Sequence, residues 1–179
     1  HNMSNLQLYY TTNSGSNWIL ANYPVGLNSL GKVQYINSSL VYACGSEQIS
    51  FANYRTAFLK STNSGISWVR VGASDTLKTG MDNIHFFDAN TGYALIDSSL
   101  TGNTRFYKTT NAGANWQRVQ LVEAGMKLIS MHFFDINTGI ISGRKYGGGP
   151  AGLFGVIYKT TNGGVNFVKT TFPWTSEVR

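Results

Sequence analysis

The chain has 179 residues, enough for one domain with a sizeable core, and only 12% of them are charged, against roughly 25% in an ordinary soluble domain. The net charge of +6 comes from basic residues that stand singly except at Arg144-Lys145. The sequence has no stripe of basic residues of the kind that contacts a phosphate backbone, so a nucleic-acid partner is not expected. No apolar run approaches 18 residues, so membrane insertion is not expected either.

Gly, Ser, Thr and Asn are abundant, and aromatic residues make up 13% of the chain. Many turn-forming residues between short aromatic segments predict an all-β fold. The low charge and the Asn/Ser/Thr content also favour an extracytoplasmic location. Cys44 is the single cysteine and follows an apolar run, so we expect a buried small side chain and no internal disulfide.

The first element in the chain is a hairpin. Residues 6–10 and 18–20 are apolar or aromatic strands on either side of a turn rich in Asn, Ser and Gly. The segment Ala21 to Lys32 contains Pro24, Gly26 and Gly31 and is predicted to be a connecting loop.

A second kind of hairpin follows, with strands at residues 33–36 and 40–44. It returns at residues 84–95 and again at residues 131–141, where the turn reads Asp-x-Asn-Thr-Gly. The Asp of that turn, Asp88 or Asp135, can accept backbone N–H groups, which predicts a turn-forming role for both carboxylates.

One short motif, Thr-Asn-x-Gly-x-x-Trp/Phe, appears four times, and its aromatic residues are 50, 48 and 51 positions apart. A period of this size indicates a solenoid, a propeller or an array. The motif residues are Asn13, Gly15 and Trp18; Asn63, Gly65 and Trp68; Asn111, Gly113 and Trp116; and Asn162, Gly164 and Phe167.

Apolar strands lead into and out of each motif, so each repeat holds four short antiparallel strands, A to D, and no segment has helical periodicity. This pattern predicts a β-propeller of four-stranded blades. The chain forms a single propeller or propeller fragment over residues 1–179. Its predicted units are a half blade at 5–20 and blades at 33–71, 83–119 and 130–170.

Three and a half blades fall short of the usual four to eight. The chain is therefore either a piece of a longer protein with further blades, or its first A–B pair comes from elsewhere, as in self-association. Two copies would not tile perfectly, because they would bring eight C–D hairpins and six A–B hairpins.

Near-identical copies of the motif in four different surroundings favour a structural role over ligand binding. The Asn can cap backbone N–H groups in the C–D turn, and the Gly can adopt a conformation closed to other residues. The terminal aromatic residue is expected to pack on the turn or between blades.

The motif resembles the Asp-box, or bacterial neuraminidase repeat, whose pattern is Ser/Thr-x-Asp-x-Gly-x-x-Trp/Phe. Together with Phe-Phe-Asp-x-Asn-Thr-Gly-Tyr and Tyr-Lys-Thr-Thr-Asn, it is most similar to photosystem II stability/assembly-factor-like propellers and related secreted bacterial repeat proteins. Asn replaces the box Asp in all four copies but keeps an acceptor oxygen. The resemblance implies a structural box and transfers no active site.

The resemblance implies that a sialidase would need an arginine triad and an Arg-Ile-Pro-type segment, and the latter is absent. Other glycosidases need two carboxylates across the bond, and a pair among the loop carboxylates stays open. His85 and His132 occupy one repeated strand position, where the first repeat has Gln34. They lie one blade apart, and Gln34 shows that the position simply accepts a polar side chain, so no metal site is predicted. No catalytic residue and no cofactor site is predicted either.

The variable B–C loops, predicted at Gly45 to Thr56, Asp97 to Thr104 and Gly143 to Gly155, share the rim opposite the repeated turns. They mix aromatic and cationic residues, which favour binding patches. The candidate ligand-binding residues are Phe51, Tyr54, Arg55, Arg105, Arg144, Lys145 and Tyr146. We expect a non-enzymatic module that binds a protein segment or a glycan there. The alternatives are a fragment of an Asp-box glycoside hydrolase, sialidase-like or xyloglucanase-like, and an assembly factor.

Overall fold

β-Strands joined by short turns form the regular structure of the chain. A computed structural model describes residues 6–50, 53–72, 80–97, 103–119, 125–146 and 153–173. Within those ranges there are fourteen strands and no helix. The strands are β1 (Tyr9–Tyr10), β2 (Ile19–Leu20), β3 (Leu27–Tyr35), β4 (Val41–Ser50), β5 (Asn53–Ser61), β6 (Val69–Arg70), β7 (Met81–Phe86), β8 (Gly92–Asp97), β9 (Thr104–Thr109), β10 (Gln117–Val119), β11 (Met126–Phe133), β12 (Gly139–Tyr146), β13 (Leu153–Thr160) and β14 (Val168–Pro173).

The described strands form one two-stranded sheet, β1-β2, and three four-stranded sheets, β3-β4-β5-β6, β7-β8-β9-β10 and β11-β12-β13-β14. Within each sheet, strands that follow one another in the chain pair antiparallel. The first strands of the four-stranded sheets contact one another in order, β3 with β7 and β7 with β11. This is the arrangement of inner strands around a propeller axis. The predicted all-β fold with four-stranded blades is confirmed.

The core lies between successive sheets. Tyr42 on β4 stacks on Phe58 of its own sheet, with ring centroids 5.2 Å apart, and on Phe86 of the next sheet, at 4.3 Å. Each such buried ring stabilises the fold by about 1.5–3 kcal/mol through removal from water. The same three positions one repeat later are Tyr93, Phe106 and Phe133.

Cys44 belongs to the cluster between the second and third sheets and is fully buried, as predicted. Burial is the main reason that the pKa of its thiol is raised to about 12. The thiol is therefore protonated at neutral pH and acts as a small apolar side chain.

The prediction of a connecting loop from Ala21 to Lys32 is wrong in part. β3 begins at Leu27, inside that segment. Burial alternates along this strand, as expected for a strand with two different faces. Asn, Ser and Gly obscure the pattern in the sequence. Gly31 is one of the residues that obscure it. A side chain is disfavoured there, because a Cβ atom would lie 2.5 Å from the backbone oxygen of Asp82 in the next sheet.

Two of the three predicted B–C loops are also too long, whereas the third, Asp97 to Thr104, agrees with the end of β8 and the start of β9. β4 continues to Ser50 and β5 starts at Asn53, so most of Gly45 to Thr56 is paired strand. Similarly, β12 runs to Tyr146 and β13 starts at Leu153. Position 45 of β4 requires glycine. The register of β3 against β4 is irregular here, and a Cβ atom at this position would lie 1.9 Å from the Ser29 oxygen. Such a glycine marks close backbone approach within a sheet.

Candidate functional site

The four repeated motifs form C–D turns with the same hydrogen bonds. In the first, Thr11 Oγ1 accepts a bond from Gly15 N at 2.9 Å, and Asn13 Oδ1 accepts one from Asn17 N at 2.9 Å. The hydroxyl two positions before the Asn also donates to that Asn Oδ1 in every copy. In the other three copies this hydroxyl belongs to Ser61, Thr109 and Thr160. The hydroxyl residue was not among the predicted turn residues, although its Ser/Thr identity repeats.

The aromatic residues that end the third and fourth motifs pack against the preceding sheet, whereas Trp18, which ends the first motif, is exposed. Trp116 meets Phe58 edge to face, with ring centroids 5.4 Å apart, and Phe167 meets Phe106 in the same way at 5.8 Å. Trp68 is buried and donates its indole N–H to the Gly65 oxygen at 2.9 Å. These contacts are structural.

The A–B turns are built by carboxylates, as predicted. Asp135 Oδ1 accepts N–H bonds from Asn137 at 2.7 Å and Thr138 at 2.8 Å, and these bonds lower the pKa of the Asp135 carboxyl. Asp88 makes the same two bonds one repeat earlier, with the same effect on its pKa.

Both kinds of turn meet at one rim of the sheets. Ser64 N in the C–D turn donates to Ser39 O in the A–B turn at 2.8 Å. The next two sheets repeat this bond, from Ala112 N to Asn90 O and from Gly163 N to Asn137 O. Because strands alternate in direction, the B–C and D–A connections lie at the opposite rim, which we call the variable rim.

On the second sheet, the variable rim carries a buried carboxylate held by two guanidinium groups. Glu47 Oε2 accepts from Arg55 Nε at 2.9 Å and from Arg70 Nε at 3.0 Å. Arg70 Nη2 donates to Glu47 Oε1 as well and to the Val25 oxygen at 2.5 Å. The cluster ties three strands to the segment before β3, so Arg55 has a structural ion pair at this rim.

Two large apolar side chains are exposed near the ends of β4 and β5 that face the variable rim. The exposed fraction is 54% for Ile49 and 38% for Tyr54. An exposed aromatic residue on a paired strand presents a large contact area with little conformational freedom to lose.

On the third sheet, Asp97 ends β8 and accepts a hydrogen bond from Thr104 Oγ1 at 2.5 Å. It also forms an ion pair with Lys127 of the next sheet. Arg105, beside Thr104, is exposed.

The remaining candidates lie mainly on the fourth sheet. Arg144 and Lys145 are partly buried on β12, and Tyr146 ends that strand. Phe51 lies outside the described residues. Among the candidates whose side chains the structure describes, Tyr54 and Arg105 are the exposed ones.

His85 and His132 are closer than their separation in the chain suggests, with ring centroids 6.0 Å apart across two sheets. Gln34, at the equivalent position of the second sheet, bonds to both backbone groups of Phe86, at 2.8 and 2.9 Å. The position thus reaches across to the next sheet from the second sheet, through Gln34, and from the third, through His85. Burial, with Lys32 and His132 nearby, lowers the pKa of His85 to about 4.

This lowered pKa predicts acid sensitivity. An unfolded histidine binds its proton near pH 6.5, whereas folded His85 does so near pH 4. The unfolded state therefore binds more protons between these values, and stability falls as the pH drops from 6.5 to 4. We expect this loss to be about 1–2 kcal/mol after allowance for partial exposure, measured by urea unfolding at each pH.

The matched variant His85→Gln copies the residue of the second sheet and should remove most of that slope. The carboxyls of Asp88 and Asp135 have pKa values lowered from 3.8, so their contribution is lost below this window. An unchanged slope in His85→Gln would assign the acid sensitivity to other groups.

Among the described residues, no group of three or more His, Cys, Asp or Glu side chains is arranged to hold a metal ion. None of the described segments forms a helix with the length and hydropathy that crossing a membrane requires.

No protein-family model and no curated protein sequence matches the chain. Solved structures do match. A GH74 enzyme from Niastella koreensis superposes with a TM-score of 0.63 and 18% identity, over 89% of this chain and 26% of the enzyme. YCF48 from Cyanidioschyzon merolae gives 0.58 and 16%, over 89% of this chain and 45% of YCF48.

A structure of YCF48 bound to a D1 peptide gives a TM-score of 0.58 and 12% identity, over 83% of this chain and 41% of that one. This chain therefore spans less than half the length of each of these three proteins. YCF48 is a photosystem II assembly factor, which agrees with the predicted resemblance at the level of fold. At these identities the likeness shows the fold alone, a β-propeller with four-stranded blades.

Proposed function

We propose that this chain is a non-enzymatic binding module that takes a protein segment on the variable rim. The observation that supports the proposal is the contrast between ion-paired and exposed side chains at that rim. Two carboxylates at this rim, Glu47 on the second sheet and Asp97 on the third, are held in ion pairs, whereas Asp82 on β7 is exposed. Also exposed there are Ile49, Tyr54 and Arg105, and aromatic and Arg residues are enriched at binding hot spots.

The similarity to a propeller bound to a D1 peptide supports a protein segment as the ligand. A peptide can gain affinity from main-chain hydrogen bonds and from pockets for a few side chains. A glycan is the second ligand class, because an exposed Tyr can stack on a sugar ring.

An enzyme fragment is the alternative, and the similarity to a GH74 enzyme supports it. A glycosidase needs one carboxylic acid and one carboxylate facing the same bond. Glu47 is already bound by two arginines. Asp82 on β7 is exposed and is the described carboxylate that an enzymatic role would use first.

We also propose that the four C–D turns are Asp-box turns with Asn in place of Asp. The repeated hydroxyl-to-glycine and Asn-to-backbone bonds support this assignment. An extracytoplasmic, secreted bacterial location remains our proposal and rests on the low charge content.

Alanine at Tyr54 or Arg105 is expected to weaken peptide binding at least tenfold, about 1.4 kcal/mol or more. The probes are a fluorescent D1 peptide and the best binders from a random peptide library, titrated by fluorescence anisotropy. The control is Ile66→Ala, which removes a side chain of 41% exposure from the C–D turn rim.

Equal weakening by Ile66→Ala would contradict the variable rim as the site. Cleavage of a polysaccharide in a panel of glucans and sialosides, lost in Asp82→Asn, would support the enzyme alternative instead.

A further inference from the structure

The C–D turn of the fourth sheet contains the only Asn-Gly pair in the sequence. The residue after the motif Asn is Ser14, Ser64 or Ala112 in the first three copies and Gly163 in the fourth. Glycine has no side chain to hinder the approach of its backbone nitrogen to the preceding side chain. An Asn-Gly pair is therefore the sequence in which an asparagine most readily loses its amide to attack by the chain itself.

This deamidation needs only the chain and water. Gly163 N bonds to Cγ of Asn162, the proton of that N–H is lost, and Nδ2 leaves as ammonia, which closes a five-membered succinimide ring. Water then opens the ring at one of its two carbonyl carbons. One opening gives aspartate, and the other gives isoaspartate, in which the main chain runs through the side-chain carbonyl. In sum, an amide and water become a carboxylic acid and ammonia, with no oxidation or reduction.

The turn favours this reaction at the carbon that is attacked. Asn162 Oδ1 accepts hydrogen bonds from Asn166 N at 2.9 Å and from Thr160 Oγ1 at 3.1 Å. Two donors on a carbonyl oxygen stabilise the negative charge that develops on it when a nucleophile adds. Asn162 is also exposed, so water can reach it and ammonia can leave.

The same turn opposes the reaction at the attacking nitrogen. Gly163 is buried, and its N–H donates to Asn137 O in the A–B turn of the same sheet at 2.8 Å. This nitrogen must break that bond before it can attack, and a buried N–H without a partner is unfavourable. The A–B turn is in turn fixed by Asp135, whose Oδ1 accepts from the N–H groups of Asn137 and Thr138.

We propose that Asn162 is a self-modification site whose deamidation is controlled by the A–B turn of the fourth sheet. While this turn is closed, Asn137 O holds the nucleophile and Asn162 keeps its amide. When the turn opens, Gly163 N is released beside a carbonyl that Thr160 and Asn166 already polarise. Deamidation then records the opening irreversibly. The site lies at the turn rim and is separate from the binding proposed for the variable rim.

The two products have different effects on the turn. Aspartate at position 162 keeps a side-chain oxygen that can accept the Asn166 N–H and adds a negative charge to an exposed position. Isoaspartate inserts an extra atom into the backbone before Gly163. That insertion displaces Gly163 and Gly164 from their φ angles of +65° and +80° and breaks the 2.9 Å bond from Gly164 N to Thr160 Oγ1. We therefore expect the aspartate form to close the turn and the isoaspartate form to leave it open.

The test measures deamidation of the full chain at pH 8 and 37 °C by peptide mapping and mass spectrometry. Asn162 in the native chain should react at least about tenfold more slowly than in the same chain unfolded in urea, because only the opened fraction reacts. Asp135→Ala should raise the native rate at Asn162 by about threefold or more, because Asn137 O loses its support. The matched control is Asp88→Ala, which loosens the same turn one repeat earlier and should leave the rate at Asn162 unchanged.

A second variant transfers the site to the third sheet. Ala112 has a φ angle of +60°, close to that of Gly163, and its N–H donates to Asn90 O at 2.9 Å. Ala112→Gly should therefore make Asn111 a second slow site, and Asp88→Ala should accelerate the reaction there. The reverse change, Gly163→Ala, should slow deamidation in the fourth turn at least about tenfold in urea, where the fold plays no part.

Three results would overturn the proposal. Equal rates at Asn162 in the native and the urea-unfolded chain would show that the turn does not restrain Gly163. Equal acceleration by Asp135→Ala and Asp88→Ala would assign the reaction to global unfolding. An Asn162 that stays intact in Asp135→Ala, over a time in which the unfolded chain reacts completely, would show that the A–B turn does not control the nucleophile.

Discussion

Replacing Gly113 by alanine is expected to lower the free energy of unfolding by about 2–5 kcal/mol. Gly113 has a φ angle of +81°, where an L side chain costs about 1–2 kcal/mol. In addition, a Cβ atom would lie 2.0 Å from a ring carbon of Phe58 in the preceding sheet. Phe58 is buried in an aromatic cluster, so the ring can move only by disturbing Tyr42 and Phe86, which costs about 1–3 kcal/mol more.

The chain contains a matched control for this variant. Gly15 occupies the same turn position with a φ angle of +89°, but its Cβ atom would meet only Trp18, at 3.8 Å. Gly15→Ala should therefore cost about 1–2 kcal/mol, the backbone term alone. Urea unfolding followed by tryptophan fluorescence and by circular dichroism gives both values. Equal losses in the two variants would show that the close approach of sheets at Gly113 does not constrain the turn.

Much of the fold could be predicted from the repeat, because its period is a local property of the sequence. Thr-Asn-x-Gly-x-x-Trp contains its own turn chemistry, since the hydrogen bonds of Asn13 and Gly15 span at most four residues. The Asp88 and Asp135 turns are likewise closed within three residues. Local bonds of this kind repeat wherever the letters repeat.

The strand limits were harder to predict because their cause lies in another strand. Gly45 is a loop signal in the sequence and a close-contact residue in the structure, where Ser29 of β3 meets it. Likewise, His85 and His132 are 47 positions apart, and only the stacking of sheets brings their rings together.

The candidate site could be predicted as a rim but not as a set of exposed residues. Arg55 and Tyr54 are neighbours in the sequence, yet Arg55 is bound to Glu47 and Tyr54 is exposed. The difference arises because successive side chains of a strand point to opposite faces. Composition alone makes both residues binding candidates. The strand register shows that Arg55 faces Glu47 and that Tyr54 lies on the other face of the strand.

Breaking the ion-pair cluster at this rim is the second large effect that we expect. Glu47→Gln should lower the free energy of unfolding by about 2–4 kcal/mol, because it leaves two guanidinium groups without their carboxylate. The Glu47 side chain is 8% exposed, and those of Arg55 and Arg70 are 26% and 31% exposed. The partial exposure of the arginines places the expected loss below that of a fully buried pair.

Asp97→Asn is the comparison for this loss. Asp97 and Lys127 are 27% and 31% exposed, so water screens both partners and the expected loss is about 1 kcal/mol or less. Urea unfolding at pH 7 with 0.1 M and 1 M NaCl measures both variants. High salt should weaken the Asp97 pair and leave most of the Glu47 effect. If Glu47→Gln loses no more than Asp97→Asn, the cluster is screened by solvent, and Arg55 becomes available to a ligand on the variable rim.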